Sequence, residues 1–156
     1  MKPHESTIID RGSFQLGMIN CFAEMVACGV KRLALSPPLS PKEYRAIERY
    51  SDRITAGFRI KSYLEKSLLT TDLQSEEFTK GKWVILYYEK DDVLEEYLAL
   101  KKKKQELKSE GHYDDEARRK ISREFGRLLS YPEHKIEEKI AETRSPFMLI
   151  EEAEEE

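Results

Sequence analysis

Apolar and polar positions follow two rhythms along this chain. Between Ser13 and Cys28, Phe14, Met18, Cys21, Phe22 and Met25 return every three or four positions, and Leu16, Ile19 and Val26 widen the stripe. That is the pattern of a well-buried helix, with Ser13 as its cap and Gly29 as its stop. Lys31–Leu35 reads as a short strand. Ser40 and Glu43 then form a capping box, with Pro41 at the first helical position. Tyr44, Ala46, Ile47, Tyr50 and Ile54 line the inner side of a helix ending near Gly57. Phe58–Leu64 switches to the two-residue period of a strand, with Phe58, Ile60, Ser62 and Leu64 on one face. Strand, helix and strand in close succession predict a right-handed unit with parallel strands.

The longest uncharged run of strand formers is Trp83–Tyr88. A strand apolar on both sides needs cover on both sides, so this one is predicted at the centre of the sheet. Leu68–Thr71 is a candidate for a further short strand, and Ser75 for the cap of a short helix over 72–79. After the central strand the rhythm is helical. Asp91 or Asp92 caps a helix ending at Gly111, with Val93, Leu94, Tyr97, Leu98 and Leu100 inward; its second half is polar all round and predicted to project into solvent. Asp114 caps the next helix, whose stripe is Ala117, Ile121, Phe125 and Leu128. Ser130 and Glu133 fit a second capping box ahead of a last helix bearing Ile136 and Ile140.

These elements predict an α/β domain over 1–144, a small three-layer sandwich. Its sheet is expected to be parallel or mixed, with three to five strands, helices on both faces and a helical C-terminal half. Residues 145–156 form a tail, with Phe147–Ile150 apolar and five of the last six residues glutamate. Pro146 ends the preceding helix, so the apolar run is expected to extend and to pack on a sheet edge, favouring exchange between two copies.

Composition narrows the setting. The chain has 156 residues, and 37% of them are charged. Glutamate outnumbers aspartate 23 to 7, and asparagine plus glutamine total four. Such a balance points to a hyperthermophilic host. Cys21 and Cys28 are too far apart along one helix for a mutual disulfide, which points to a reducing cytoplasm. No stretch is long and apolar enough for a membrane helix. Taking the five terminal glutamates from the net charge of −3 leaves +2, so no overall field demands nucleic acid.

The segment Arg123-Glu124-Phe125-Gly126-Arg127-Leu128-Leu129-Ser130-Tyr131-Pro132, with Phe78-Thr79-Lys80-Gly81-Lys82-Trp83 before it, resembles the archaeal domain-of-unknown-function family numbered 483. The likeness covers the C-terminal half. It implies an archaeal cytoplasmic protein without an established activity, and it carries over no functional residue. The residues also have a structural reading, in which Gly126 lets two backbones approach and 130–133 joins two helices at an angle.

Three clusters are candidate sites. Ser36, Ser40, Lys42 and Arg45 surround a helix N-terminus, where amides and two cations suit a phosphate or carboxylate; the competing reading is an ordinary capped helix. Glu89, Asp91 and Asp92 follow the central strand and suit Mg²⁺, or are simply an acidic first turn. Lys101, Lys102, Lys103, Lys104, Arg118, Arg119 and Lys120 suit RNA phosphate. Five acids interleave with nine basic residues over 99–123, so a salt-bridged helical hairpin competes with that. His4, His112 and His134 have no ligand spacing, and no glycine-rich phosphate loop, GxSxG, HExxH or CxxC is present. The reading preferred from sequence is a non-catalytic cytoplasmic binding or assembly module that self-associates and needs no cofactor. The alternatives are an enzyme or sensor for a phosphorylated small molecule, with or without Mg²⁺, and then an RNA-binding protein.

Overall fold

The computed structural model describes residues 9–74 and 76–142. Ser75 as a cap and the tail 145–156 lie outside the described residues. The described elements run α1 (Arg11–Ala27), β1 (Leu33–Leu35), α2 (Pro41–Phe58), β2 (Lys61–Glu65), α3 (Glu76–Thr79), β3 (Val84–Tyr88), α4 (Asp91–Ser109), α5 (Asp115–Leu128) and α6 (Glu133–Ala141).

The strand order is β1-β3-β2. β3 therefore takes the centre, and all five of its residues are buried, as its two-sided apolar character requires. Its direction departs from expectation. Both neighbours pair with β3 antiparallel. β1 and β2 do run parallel to one another, but β3 enters between them, so the sheet is antiparallel and not parallel or mixed. The cause is the connection. Glu65 at the end of β2 lies opposite Val84 at the start of β3, so residues 66–83 stay at one end of the sheet. A parallel entry would need a crossover along the whole sheet, and the one helix available there has four residues.

Side chains of β3 alternate between two apolar clusters. Val84, Leu86 and Tyr88 pack with Val93, Tyr97 and Leu100 of α4 and with Ile121, Phe125 and Leu128 of α5. Ile85 and Tyr87 pack with Ile19, Ala23 and Val26 of α1 and with Ile47 of α2. Burial of each such side chain contributes roughly 1.5–3 kcal/mol.

Several local expectations change. α1 is capped by Asp10, whose carboxylate accepts from Ser13 N (2.8 Å), and not by Ser13. It buries Gln15, Ile19, Ala23 and Val26, while Phe14, Cys21 and Met25 are exposed. Apolar residues occur on nearly every side of this helix, so spacing alone does not choose the inward face. Leu68, Leu69 and Leu73 are core residues of an irregular loop; Thr71 bridges only to Gln74, so no strand forms there. That loop is held by Leu69 N donating to Tyr97 Oη (3.1 Å) and Asp72 N donating to Ser122 Oγ (3.0 Å). α4 begins after Lys90 without a side-chain cap. Ser130 makes no second capping box. It adopts φ 64°, and its hydroxyl accepts from Arg32 N (2.9 Å). The capping box of Ser40 and Glu43 forms as expected.

Candidate functional site

The antiparallel entry of β3 separates two of the sequence candidates. The carboxyl end of β1 carries Ser36 and Ser40, whereas Glu89, Asp91 and Asp92 follow the carboxyl end of β3 at the opposite end of the sheet.

At the first end, the polar groups serve the fold. Ser36 N donates to Ile85 O, and Ser36 Oγ accepts from Ile85 N, both at 2.9 Å. The hydroxyl thus continues the ladder where Pro37 turns the chain away. Ser40 caps α2 by accepting from Glu43 N (3.1 Å). The Glu43 carboxylate lies across the same helix end, where it accepts from Ser40 N (3.2 Å), Arg11 Nε (2.9 Å) and Gln15 Nε2. Burial works to raise its pKa, but these hydrogen bonds outweigh it and pull the group down to about 2. A carboxylate from the chain itself therefore occupies the position proposed for an outside anion. Lys42 and Arg45 are exposed beside it.

At the other end, Asp91 Oδ1 accepts from Lys61 Nζ (2.6 Å). Glu89 and Asp92 are exposed. Among the described residues, no group of three or more His, Cys, Asp or Glu side chains is placed to hold a metal ion.

Several basic residues of α4 and α5 are engaged with neighbours, and the second half of α4 does not project freely into solvent. Lys101 Nζ donates to Glu65 Oε2 (2.9 Å), and Lys104 Nζ donates to Thr70 O (2.6 Å) and lies over the Tyr113 ring. Burial lowers the pKa of Lys104, and nearby Lys108 adds to the effect. Lys102 faces Glu106 and Lys103 faces Glu124, each at 3.8 Å. Arg118 bonds Asp72, which also accepts from Ser122 Oγ (3.0 Å). Arg119 and Lys120 are exposed. An open groove of about 420 Å³ runs between α4 and α5; Arg32, Glu96, Lys103 and Glu124 line it above Leu100 and Leu128, with charges of both signs.

Two features escaped sequence reasoning. The first is a buried polar centre. Glu65, only 5% exposed, accepts from Tyr97 Oη (2.7 Å), Lys101 Nζ and Ser67 N (2.9 Å), so each oxygen is satisfied. Tyr97 and Lys101 stand one helical turn apart, a spacing that is visible in sequence; their common target in β2 is not.

The second is the outer edge of β2. Ile85 turns its backbone groups toward β1, as its bonds with Ser36 demonstrate. Alternation along an antiparallel strand then turns those of Val84, Leu86 and Tyr88 toward Glu65, Tyr63 and Lys61. Ser62 and Leu64, between them, aim N–H and C=O away from the sheet. Among the described residues nothing bonds to these outward groups. Lys61, Ser62 and Tyr63 are exposed in succession, so neither face of this half of the strand is covered. Tyr63 is 37% exposed, and Leu98 on α4 is 38% exposed.

No protein-family model, no curated protein and no solved structure matches this chain. No helix among the described residues is long and apolar enough to cross a membrane.

Proposed function

We propose that this protein is a non-catalytic cytoplasmic binding and assembly module, a small sandwich of helices about one sheet, whose working surface is the free edge of β2. The observation that carries the reading is the pair of outward backbone positions, Ser62 and Leu64, beside an exposed tyrosine. An unpaired strand edge is a template for adding another strand, with main-chain hydrogen bonds supplying affinity and adjacent side chains supplying selectivity. Proteins usually blunt such an edge with bulges, prolines, charged side chains or an overlying segment; β2 pairs without a bulge or a proline, and its two charged residues, Lys61 and Glu65, are drawn toward α4 by Asp91 and Lys101. The occupied helix end at Glu43 and the paired lysines at 101 and 104 favour this reading over phosphate or RNA binding.

Amide hydrogen exchange on the full chain tests it. The amides of Ser62 and Leu64 should exchange at least about tenfold more slowly than unpaired amides, because an added strand holds them. Exchange at unpaired rates up to about millimolar protein would refute the reading.

A further inference from the structure

The flank of α4 that borders β2 identifies the occupant of that edge; the inference rests on β2 being the working surface. Lys61 pairs with Asp91 at one end of the strand and Glu65 pairs with Lys101 at the other. The helix therefore runs alongside β2 in the same direction. Ten helical steps rise about 15 Å, and four strand steps cover about 13 Å, so the two elements keep pace. Leu94 and Leu98 share the flank of Asp91 and Lys101 by helical spacing, near the level of Tyr63.

We propose that this edge docks onto the same edge of a second copy of the chain, related by a two-fold axis at Tyr63, joining the two three-stranded sheets into one. The strand Lys61-Ser62-Tyr63-Leu64-Glu65 is self-complementary in that register. Ser62 falls opposite Leu64 of the second copy. Both present outward backbone groups, so each pair exchanges two N–H···O bonds. Tyr63 meets its own counterpart at a non-hydrogen-bonded position, where Cα atoms approach to about 4.5 Å. Lys61 falls opposite Glu65 of the second copy, which stays buried against Tyr97 and Lys101, so the register sets no like charges against each other and adds no ion pair at that position. The helix flank obeys the same symmetry. Asp91 comes level with Lys101 of the second copy, and Leu94 with Leu98. Side chain Asp91 is 72% exposed and can accept a second cation. A surface that matches itself in backbone polarity, charge and apolar position is what an isologous contact requires.

Light scattering on the full chain should give twice the mass of 18.3 kDa. Ser62→Pro removes an outward donor and leaves the β3 ladder intact, so it should weaken the dimer by at least about tenfold. Leu98→Lys and Leu98→Glu change an exposed position, and each should give monomers. Mixing the two should restore dimers, because the two copies of position 98 lie four helical steps apart in level, about 6 Å, where a lysine and a glutamate attract and two like charges repel. A merely disordering substitution would not be rescued by mixing. If Ser62→Pro does not fold, as judged by circular dichroism, the Leu98 pair decides. A full chain that stays monomeric near millimolar concentration overturns the proposal, as does a dimer indifferent to all three substitutions. A monomer whose Ser62 and Leu64 amides are nonetheless protected would overturn the second copy while leaving the β2 edge as a docking surface.

Discussion

The Lys101 ammonium lies 2.9 Å from the Glu65 carboxylate and ties the middle of α4 to the end of β2. Glu65 is almost inaccessible, so this contact, the Tyr97 hydroxyl and the Ser67 amide supply its hydrogen bonds in place of water. Lys101→Met should destabilise the protein by about 3 kcal/mol, since it leaves a buried carboxylate short of its cation. The double variant Glu65→Leu/Lys101→Met should recover part of that loss. Urea unfolding of these two and of Glu65→Leu measures it; a double variant whose loss equals the sum of the two single losses would show that the pair is not coupled.

Acid should unfold the protein partly through Glu43. Its carboxyl is held down to about 2 from an ordinary 4.5. A depressed carboxyl contributes stability above its unfolded pKa and loses it as pH falls through the folded value. The window is therefore about pH 4.5 down to 2, and the contribution is on the order of 2–3 kcal/mol, the roughly 3.4 kcal/mol of the full shift reduced by solvent screening of this partly exposed group. Glu43→Gln should flatten that part of the stability profile. An unchanged slope between pH 5 and 2 would count against the assignment.

Gly126 of α5 sits directly against the Ile136 side chain of α6. A Cβ there would lie 2.7 Å from Ile136 Cγ1 and 3.1 Å from Leu73 Cδ1. Alanine favours a helix over glycine by up to about 1 kcal/mol. Overpacking costs about 1–3 kcal/mol. Gly126→Ala should lower Tm by a few degrees, and Ile136→Val should recover part of the fall. A rise in Tm with Gly126→Ala would mean that the two helices have room to spare.

Ser51 Oγ and Tyr87 Oη lie 2.7 Å apart in the core between α2 and β3. Burial raises the tyrosine pKa well beyond its ordinary range. Ser51→Ala strands the phenol and should cost about 1–3 kcal/mol. Ser51→Ala with Tyr87→Phe should cost less than Ser51→Ala alone, because no buried hydroxyl is then left without a partner. Thermal melts of the two variants give the comparison.

Chemistry local to the chain settled a definite part of this structure. The capping box at Ser40 forms because donor and acceptor lie three residues apart. Trp83–Tyr88 marks the central strand because no edge position would bury both of its faces. Gly126 signals a close approach because it lacks a side chain. What the tertiary structure alone decided is every relation between distant segments. The period of α1 is compatible with more than one inward face, and packing on α2 and β3 selected Ile19, Ala23 and Val26. The direction of β3 depends on which end of the sheet residues 66–83 occupy, and no periodicity encodes that. The lysines of α4 read as a solvated run because their partners, Glu65 and Thr70, lie more than thirty residues away. The edge of β2, open among the described residues, is likewise invisible in sequence, since a strand becomes an edge only when the others have taken their places.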